Sequence, residues 1–410
     1  MALTFDYKVR DRTGKLVEGQ LEGDSLALVV SKLREMGYLP LSVTPKSKMN
    51  VHKEINIPGF SNRVKLTEIA VATRQLATMI DSGLSVVRSL GILGNQVENK
   101  ELGRVLSEVR MDVERGSSLS AACAKYPKIF SVLFITMVQA GEAGGHLDAV
   151  LLELASTMEK QAVLRRTVRS AMTYPAVVVS VMVVIFLALL IFIVPVFTKL
   201  FASLNAKLPT PTIIVIDISK IILGPGSLVV VAVLVTAVVL FRRWIKTDAG
   251  RLKWDGFKLK PPVFGQLIHK VALARFSHTL ASLIEAGVPI LESLDIVADT
   301  AGNRIVGNAL LDAKAGVREG RALADTLREH EEVIPALVTQ MVEVGEQTGA
   351  LDTMLHKVGQ FYDGEVETTV NNLTSMLEPM LTVAMGAGVG TMVVCMYLPM
   401  FSYIKHIPTS

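Results

Sequence analysis

Cysteine is scarce: Cys123 and Cys395 are the two in 410 residues. Cys395 lies in an apolar run and Cys123 in a polar segment. That argues against a disulfide between them and fits a reducing compartment for the soluble parts. Histidine is dispersed. His52, His146, His269, His278, His330, His356 and His406 form neither HExxH nor any zinc-ligand spacing, and no cysteine pair backs them, so no metal is expected. A Walker A loop is missing: Gly14-Lys15 is followed by Leu16 and lacks the upstream glycine. No Gly-x-Ser-x-Gly elbow occurs. These absences leave nothing that argues for an enzyme, and no cofactor is expected. An excess of one charge is lacking as well. The 42 basic and 38 acidic residues give a net charge of +4, with no basic stripe interleaved with aromatics, so no nucleic-acid partner is expected. The stretch Met1-Ala2-Leu3-Thr4-Phe5-Asp6-Tyr7-Lys8 has no apolar h-region. No cleavable signal peptide is expected, and the first apolar span has to direct insertion.

What the chain does have is concentrated apolar sequence and a duplication. Hydrophobic residues make up 50% and mean hydropathy is +0.44. Ala176 to Phe197 and Met380 to Phe401 are uncharged, 22 residues each, long enough to cross a hydrocarbon core. Gly141-Glu142-Ala143-Gly144-Gly145-His146-Leu147-Asp148 returns 204 residues later as Gly345-Glu346-Gln347-Thr348-Gly349-Ala350-Leu351-Asp352. Gly83 and Gly287, Leu90 and Leu294, Gly116 and Gly320, Leu119 and Leu323, Met137 and Met341, Pro175 and Pro379, and Pro195 and Pro399 share that offset without a gap. So many landmarks in one register mean a duplicated unit, running from about Lys65 to Phe201 and from Lys270 to about Lys405.

In order, residues 1–44 read as a ββαβ module. Phe5, Tyr7 and Val9 alternate with polar residues, a second strand covers Leu16 to Leu21, and Leu26, Val29, Val30 and Leu33 share a helix face. Gly37 ends that helix and Leu39 to Val43 is the third strand. Residues 45–64 are a linker. Residues 65–172 form a first antiparallel helical bundle, with Thr67, Ser85 and Ser118 as caps and Gly83, Gly116 and Gly141 as helix stops. A membrane helix is expected over 173–198. Residues 199–225 form an outer loop whose Asp217 and Lys220 suit an ion pair on an interfacial helix. A second membrane helix follows over 226–244, a second bundle over 245–376, a third membrane helix over 377–401 and a tail over 402–410. The expected fold is therefore a mainly α membrane protein with two repeated bundles and three spans. Arg165, Arg166 and Arg169 before the first span place residues 1 to about 172 in the cytoplasm. Both units run from bundle to outward span, so one extra crossing must return the chain between them.

Two readings stand for the repeated turn. In one, Gly83, Gly116 and Gly141 end helices, because glycine takes the left-handed conformation cheaply, while Glu142 and Glu346 favour the dipole of the next helix, opened in the first copy by Leu147. In the other, the turns present acidic tips to a partner or a cation. In the spans, Pro175, Pro195, Pro379 and Pro399 mark the entrances and outer ends. Gly386 and Gly390 form a GxxxG that allows close helix approach, within the protein, between protomers or against a client helix.

Together the Gly-Glu-x-x-Gly-x-Leu turns, Tyr174-Pro175, Glu378-Pro379, Pro195, Pro399 and Leu208-Pro209-Thr210-Pro211-Thr212 resemble the type IV pilus and type II secretion membrane platform family (PilC/GspF), over nearly the whole chain. The resemblance implies a non-enzymatic, multi-pass scaffold in the bacterial plasma (inner) membrane, N-terminus cytoplasmic. Implied partners are a hexameric secretion ATPase, pilin or pseudopilin subunits, other pilus-machine membrane proteins and the lipid bilayer; a further copy of the chain is expected because symmetric homo-oligomers are common. The alternative is a membrane adaptor or receptor whose bundles bind an unrelated partner. A transporter is disfavoured because the spans carry almost no polar groups.

Overall fold

The computed structural model describes residues 3–10, 16–23, 26–45, 63–203, 210–224, 226–262 and 264–404. Most of the expected linker and tail lie outside the described residues. The chain forms two compact units, Met1–Arg63 and Val64–Ser410.

In the first unit, β1 (Leu3–Arg10) pairs antiparallel with both β2 (Leu16–Gly23) and β3 (Leu39–Pro45), giving the order β2-β1-β3. Between the last two strands lies α1 (Leu26–Glu35). Val9, Val29 and Leu33 form the small interior, with Tyr7, Leu21, Tyr38 and Val43 around it. Leu26, expected on the buried face, is exposed. Gly19 sits opposite Tyr7 in the register, and a Cβ there would fall 2.5 Å from the Tyr7 hydroxyl, so the missing side chain makes room for the ring.

The second unit is helical throughout its described residues. Its first repeat comprises α2 (Leu66–Asp81), α3 (Val86–Gln96), α4 (Lys100–Glu114), α5 (Leu119–Ala124), α6 (Val132–Gly144) and α7 (Leu147–Ala188). A π-helical turn (Leu189–Ile193) continues α7 into α8 (Val194–Ser203). The widened turn lies just before Pro195, whose ring removes one N–H and crowds the carbonyl four residues back. Then come α9 (Thr210–Leu223), α10 (Gly226–Ile245) and α11 (Asp248–Leu259). The second repeat comprises α12 (Phe264–Glu285), α13 (Ile290–Thr300), α14 (Arg304–Arg318), α15 (Leu323–Arg328), α16 (Ala336–Thr348) and α17 (Leu351–Ile404).

The duplication holds residue by residue. Every helix boundary from Val86 to Leu147 recurs 204 positions later, from Ile290 to Leu351. Gly83, Gly116 and Gly145 have φ of 87°, 95° and 72°, and their counterparts Gly287, Gly320 and Gly349 have 79°, 88° and 70°. These left-handed positions favour glycine by conformation, because a Cβ at any of the six would meet nothing within 4 Å.

Some boundaries differ from the sequence expectation. Helix α2 starts one residue before Thr67, and its capping contact comes from Glu68, which accepts from the Lys65 N–H at 3.0 Å. Ser85 precedes α3 without a side-chain capping bond, whereas Ser118 accepts from the Ala121 N–H at 3.2 Å. The stop expected at Gly141 falls at Gly145 instead.

One apolar interior runs through both repeats, from Ile69 to Leu373. The repeats meet along α7, α12 and α17. At their junction the Thr157 and Ser282 hydroxyls hydrogen-bond at 2.6 Å, both buried. Among the described residues, two helical runs are long and apolar enough to cross a membrane: Leu147–Lys199, with 53 residues, and Leu228–Ile245, with 18. In their most apolar windows 11% and 0% of residues are buried, unlike the core helix of a soluble protein.

Candidate functional site

The repeated turn joins α6 to α7 and α16 to α17. Its two glycines do different work. Gly145 and Gly349 are the left-handed caps, and their N–H groups bond to the carbonyls of Gly141 and Gly345. Gly141 and Gly345 lie inside the helices and are buried. A Cβ on Gly141 would lie 3.0 Å from Val150 Cβ, and one on Gly345 would lie 2.8 Å from Leu351 Cα. The first glycine of each turn therefore lets two helices touch at the backbone, where the sequence reading makes Gly141 a helix stop. Leu147 and Leu351 pack their side chains against the core beside that contact, and Asp148 and Asp352 sit in the first turns of α7 and α17.

The carboxylates between the glycines are aimed inward. Glu142 Oε1 accepts from the Leu119 N–H at 2.5 Å, and its Oε2 accepts from the Ser120 N–H at 3.1 Å and the Ser120 hydroxyl at 2.5 Å. Glu346 repeats this, accepting from Leu323 N–H at 2.7 Å and Ala324 N–H at 2.9 Å. Each glutamate thus caps the N-terminus of a short helix, α5 or α15, where unpaired N–H groups and the helix dipole favour an anion. The helix served is the preceding one, not the next one as the sequence reading had it. The acidic tips are occupied by backbone donors. The Glu142 carboxylate also contributes, after burial, to pushing the Cys123 thiol up to about 12.

Sequence reasoning missed a second set of paired contacts. Arg74 donates to both Glu159 oxygens, at 3.0 and 2.7 Å, and the pair holds Glu159 below the usual carboxylate range. At the equivalent positions of the second repeat stand His278 and Asp363, 2.7 Å apart, with His278 3% exposed. The asparagine before α4, Asn99, caps it through its side chain, and Asn303 does the same for α14. The 204-residue register was the signal available for all of these.

Between the repeats, Glu153, Glu285 and His356 bring three ligand-type atoms within 4.8 Å of one another. His356, isolated by sequence spacing, lies with Nε2 3.1 Å from Glu285 and 3.8 Å from Glu153. These groups could hold a cation, and they also bond internally: the Ser282 hydroxyl donates to Glu153 at 2.7 Å.

Among the residues assigned to the apolar spans, Pro175 lies inside α7 and is buried, whereas Pro379 lies inside α17 and is exposed. Pro195 follows the π turn, and Pro399 falls within α17. A Cβ on Gly386 or Gly390 would meet nothing within 4 Å, so among the described residues no helix packs against that face. Asp217 and Lys220 form the expected ion pair at 3.4 Å, exposed.

The comparisons with known proteins follow the same division. The family model for type II secretion system (T2SS), protein F matches residues 72–195 and again residues 276–399, at the internal offset of the duplication. The model for the N-terminal domain of the same protein matches residues 1–44. The type IV pilus assembly protein PilC of Myxococcus xanthus is 41% identical over 399 residues, covering 97% of this chain and 94% of that protein. PilC of Thermus thermophilus is 41% identical over 400 residues, covering 98% of each. The type II secretion system protein F of Pseudomonas aeruginosa is 32% identical over 398 residues, covering 97% and 98%. With two matched repeats and a matched N-terminal domain on a duplicated helical scaffold, the chain belongs to the PilC/GspF family of type IV pilus and type II secretion proteins.

Proposed function

We propose that this chain is an integral, non-enzymatic platform of the bacterial inner membrane that couples a cytoplasmic hexameric ATPase to the assembly of pilin or pseudopilin subunits. The observation that carries this reading is the unbroken helical path from Leu147 to Lys199, which joins a packed bundle to an apolar, uncovered run. A helix bends little away from prolines and π turns, so movement of the bundle is carried to the membrane entrance at Pro175.

In this reading the chain crosses the membrane three times, over 173–198, 226–244 and 377–401, with residues 65–172 and 245–376 as cytoplasmic bundles and 1–44 as a ββαβ module. The third crossing is supported by α17, whose Met380, Val383, Val393 and Val394 are all exposed. The open glycine face at Gly386 and Gly390 suits a second copy of the chain or a client helix. The repeated turns act as architecture, holding the short helices α5 and α15 to the long ones.

A pull-down tests the reading. The detergent-solubilised protein, whole and lacking residues 1–62, is presented to the cognate secretion ATPase. Capture by the whole chain is expected. Loss on truncation assigns the contact to the N-terminal module, and retention assigns it to the bundles. No capture by either folded form removes direct ATPase coupling and favours the adaptor reading.

A further inference from the structure

Helix α11 is absorbed by neither repeat. The first repeat begins at α2 and the second at α12, and α11 lies between them, ahead of the second. It follows α10 after a tight corner. Thr247 Oγ1 accepts from the Gly250 N–H at 3.2 Å and its hydroxyl donates to the Trp244 carbonyl at 2.6 Å. A Cβ on Gly250 would collide with that carbonyl, so the corner leaves no room for a side chain there.

After the corner α11 stays beside the end of α10. The Trp254 ring meets Phe241 edge-on at 5.0 Å between centroids and stacks on Phe257 at 5.7 Å, and Phe241 stacks on Trp244 at 6.0 Å. Phe241 and Trp244 belong to the last turns of the Leu228–Ile245 run. Trp254 is therefore level with the end of that run. At about 100° per residue, Trp254 and Phe257 share one side of α11. Lys253 and Lys260 flank that side on one edge, Arg251 and Lys258 on the other. Phe257 is 57% exposed and Trp244 43%. Lys258 is paired with Asp255. Among the described residues Arg251, Lys253 and Lys260 have no ion-pair partner, and all three are exposed.

The opposite side is built into the second bundle. The buried Asp255 carboxylate accepts from the Arg304 N–H at 2.9 Å, capping α14, and a Cβ on Gly256 would lie 3.3 Å from Ile305 Cδ1.

We propose that α11 is a membrane-surface helix that seats Trp254 and Phe257 in the headgroup region of an anionic bilayer, with Arg251, Lys253 and Lys260 on lipid phosphates, and so fixes the height of the second bundle. An aromatic strip flanked by cations is the pattern of helices that lie in the interface plane, and indole rings favour that zone. The inference rests on reading Leu228–Ile245 as a span.

The chain holds two tryptophans, Trp244 and Trp254, so each can be read alone. Full-length Trp244→Phe and Trp254→Phe proteins are placed in nanodiscs containing phosphatidylglycerol and lipids brominated high on the acyl chain. The expected result is an about twofold or larger loss of emission from each indole. The unsubstituted protein is a check on folding, since quenching of both indoles removes more of its emission than quenching of one. Trp244 quenched and Trp254 unquenched overturns the inference and leaves the span intact. Neither quenched overturns the span and the inference together. A third arm tests the headgroup contact. Arg251→Gln, Lys253→Gln and Lys260→Gln in one chain should weaken Trp254 quenching in phosphatidylglycerol discs, and quenching equal to the parent's there and in phosphatidylcholine overturns the anionic-lipid contact.

Discussion

Glu142 and Glu346 place a full negative charge where two backbone N–H groups would otherwise be unpaired. Replacing either with alanine leaves those donors without their acceptor and should cost about 1–2 kcal/mol, as a lost helix cap does. Thermal unfolding of the purified protein checks this, and an unchanged midpoint for Glu142→Ala and Glu346→Ala would mean the caps are idle. The glycines on either side separate two effects. Gly349→Ala forces alanine to φ near 70° and should cost about 1 kcal/mol. Gly345→Ala sets a methyl 2.8 Å from Leu351 Cα and should cost more, about 1–3 kcal/mol, because backbone must move. The order of the two unfolding midpoints is the measurement. The glycine spacing was visible in the sequence. The glutamate's partner was not, because it lies 22 or 23 residues upstream and no local spacing rule reaches that far.

At the scale of elements, α2 is tied to α7 through Arg74 and Glu159, and α12 to α17 through His278 and Asp363. Glu159 is depressed below its ordinary 4.5 by the Arg74 hydrogen bonds. A depressed carboxylate stabilises the fold above its unfolded value and loses that contribution as pH falls through the folded one. Glu159→Gln should therefore lower the unfolding midpoint at pH 7 and at pH 5, with the difference shrinking as the pH falls below the ordinary 4.5 and through the depressed folded value. Both side chains are more than a third exposed, so screening keeps the effect within about 1 kcal/mol. A difference that grew on acidification would contradict the pairing. Helix order, the duplication and the long α7 were legible because apolar periodicity and glycine punctuation recur in both copies. The α7 to α12 junction was not, since Thr157, Ser282 and Glu153 have ordinary sequence surroundings and meet only through folding. Helix α11 was read as part of the second bundle for a related reason. Its aromatic side and its bundle side alternate too tightly for a linear scan to separate.

For the whole molecule, the proposed coupling depends on rigidity between bundle and membrane. A Gly-Gly-Ser insertion after Arg169 interrupts α7 above its apolar stretch. It should abolish filament assembly in cells while leaving ATPase capture and the folded bundles in place. Intact filaments would show that stiffness at that point is dispensable. The interior that α7, α12 and α17 share has a mechanical meaning of its own. Close-packed protein interiors compress very little. A joint of that kind has no backlash: a push on either bundle is not taken up between the halves but moves both long helices in step, so the two legs of the molecule behave as one lever with two feet.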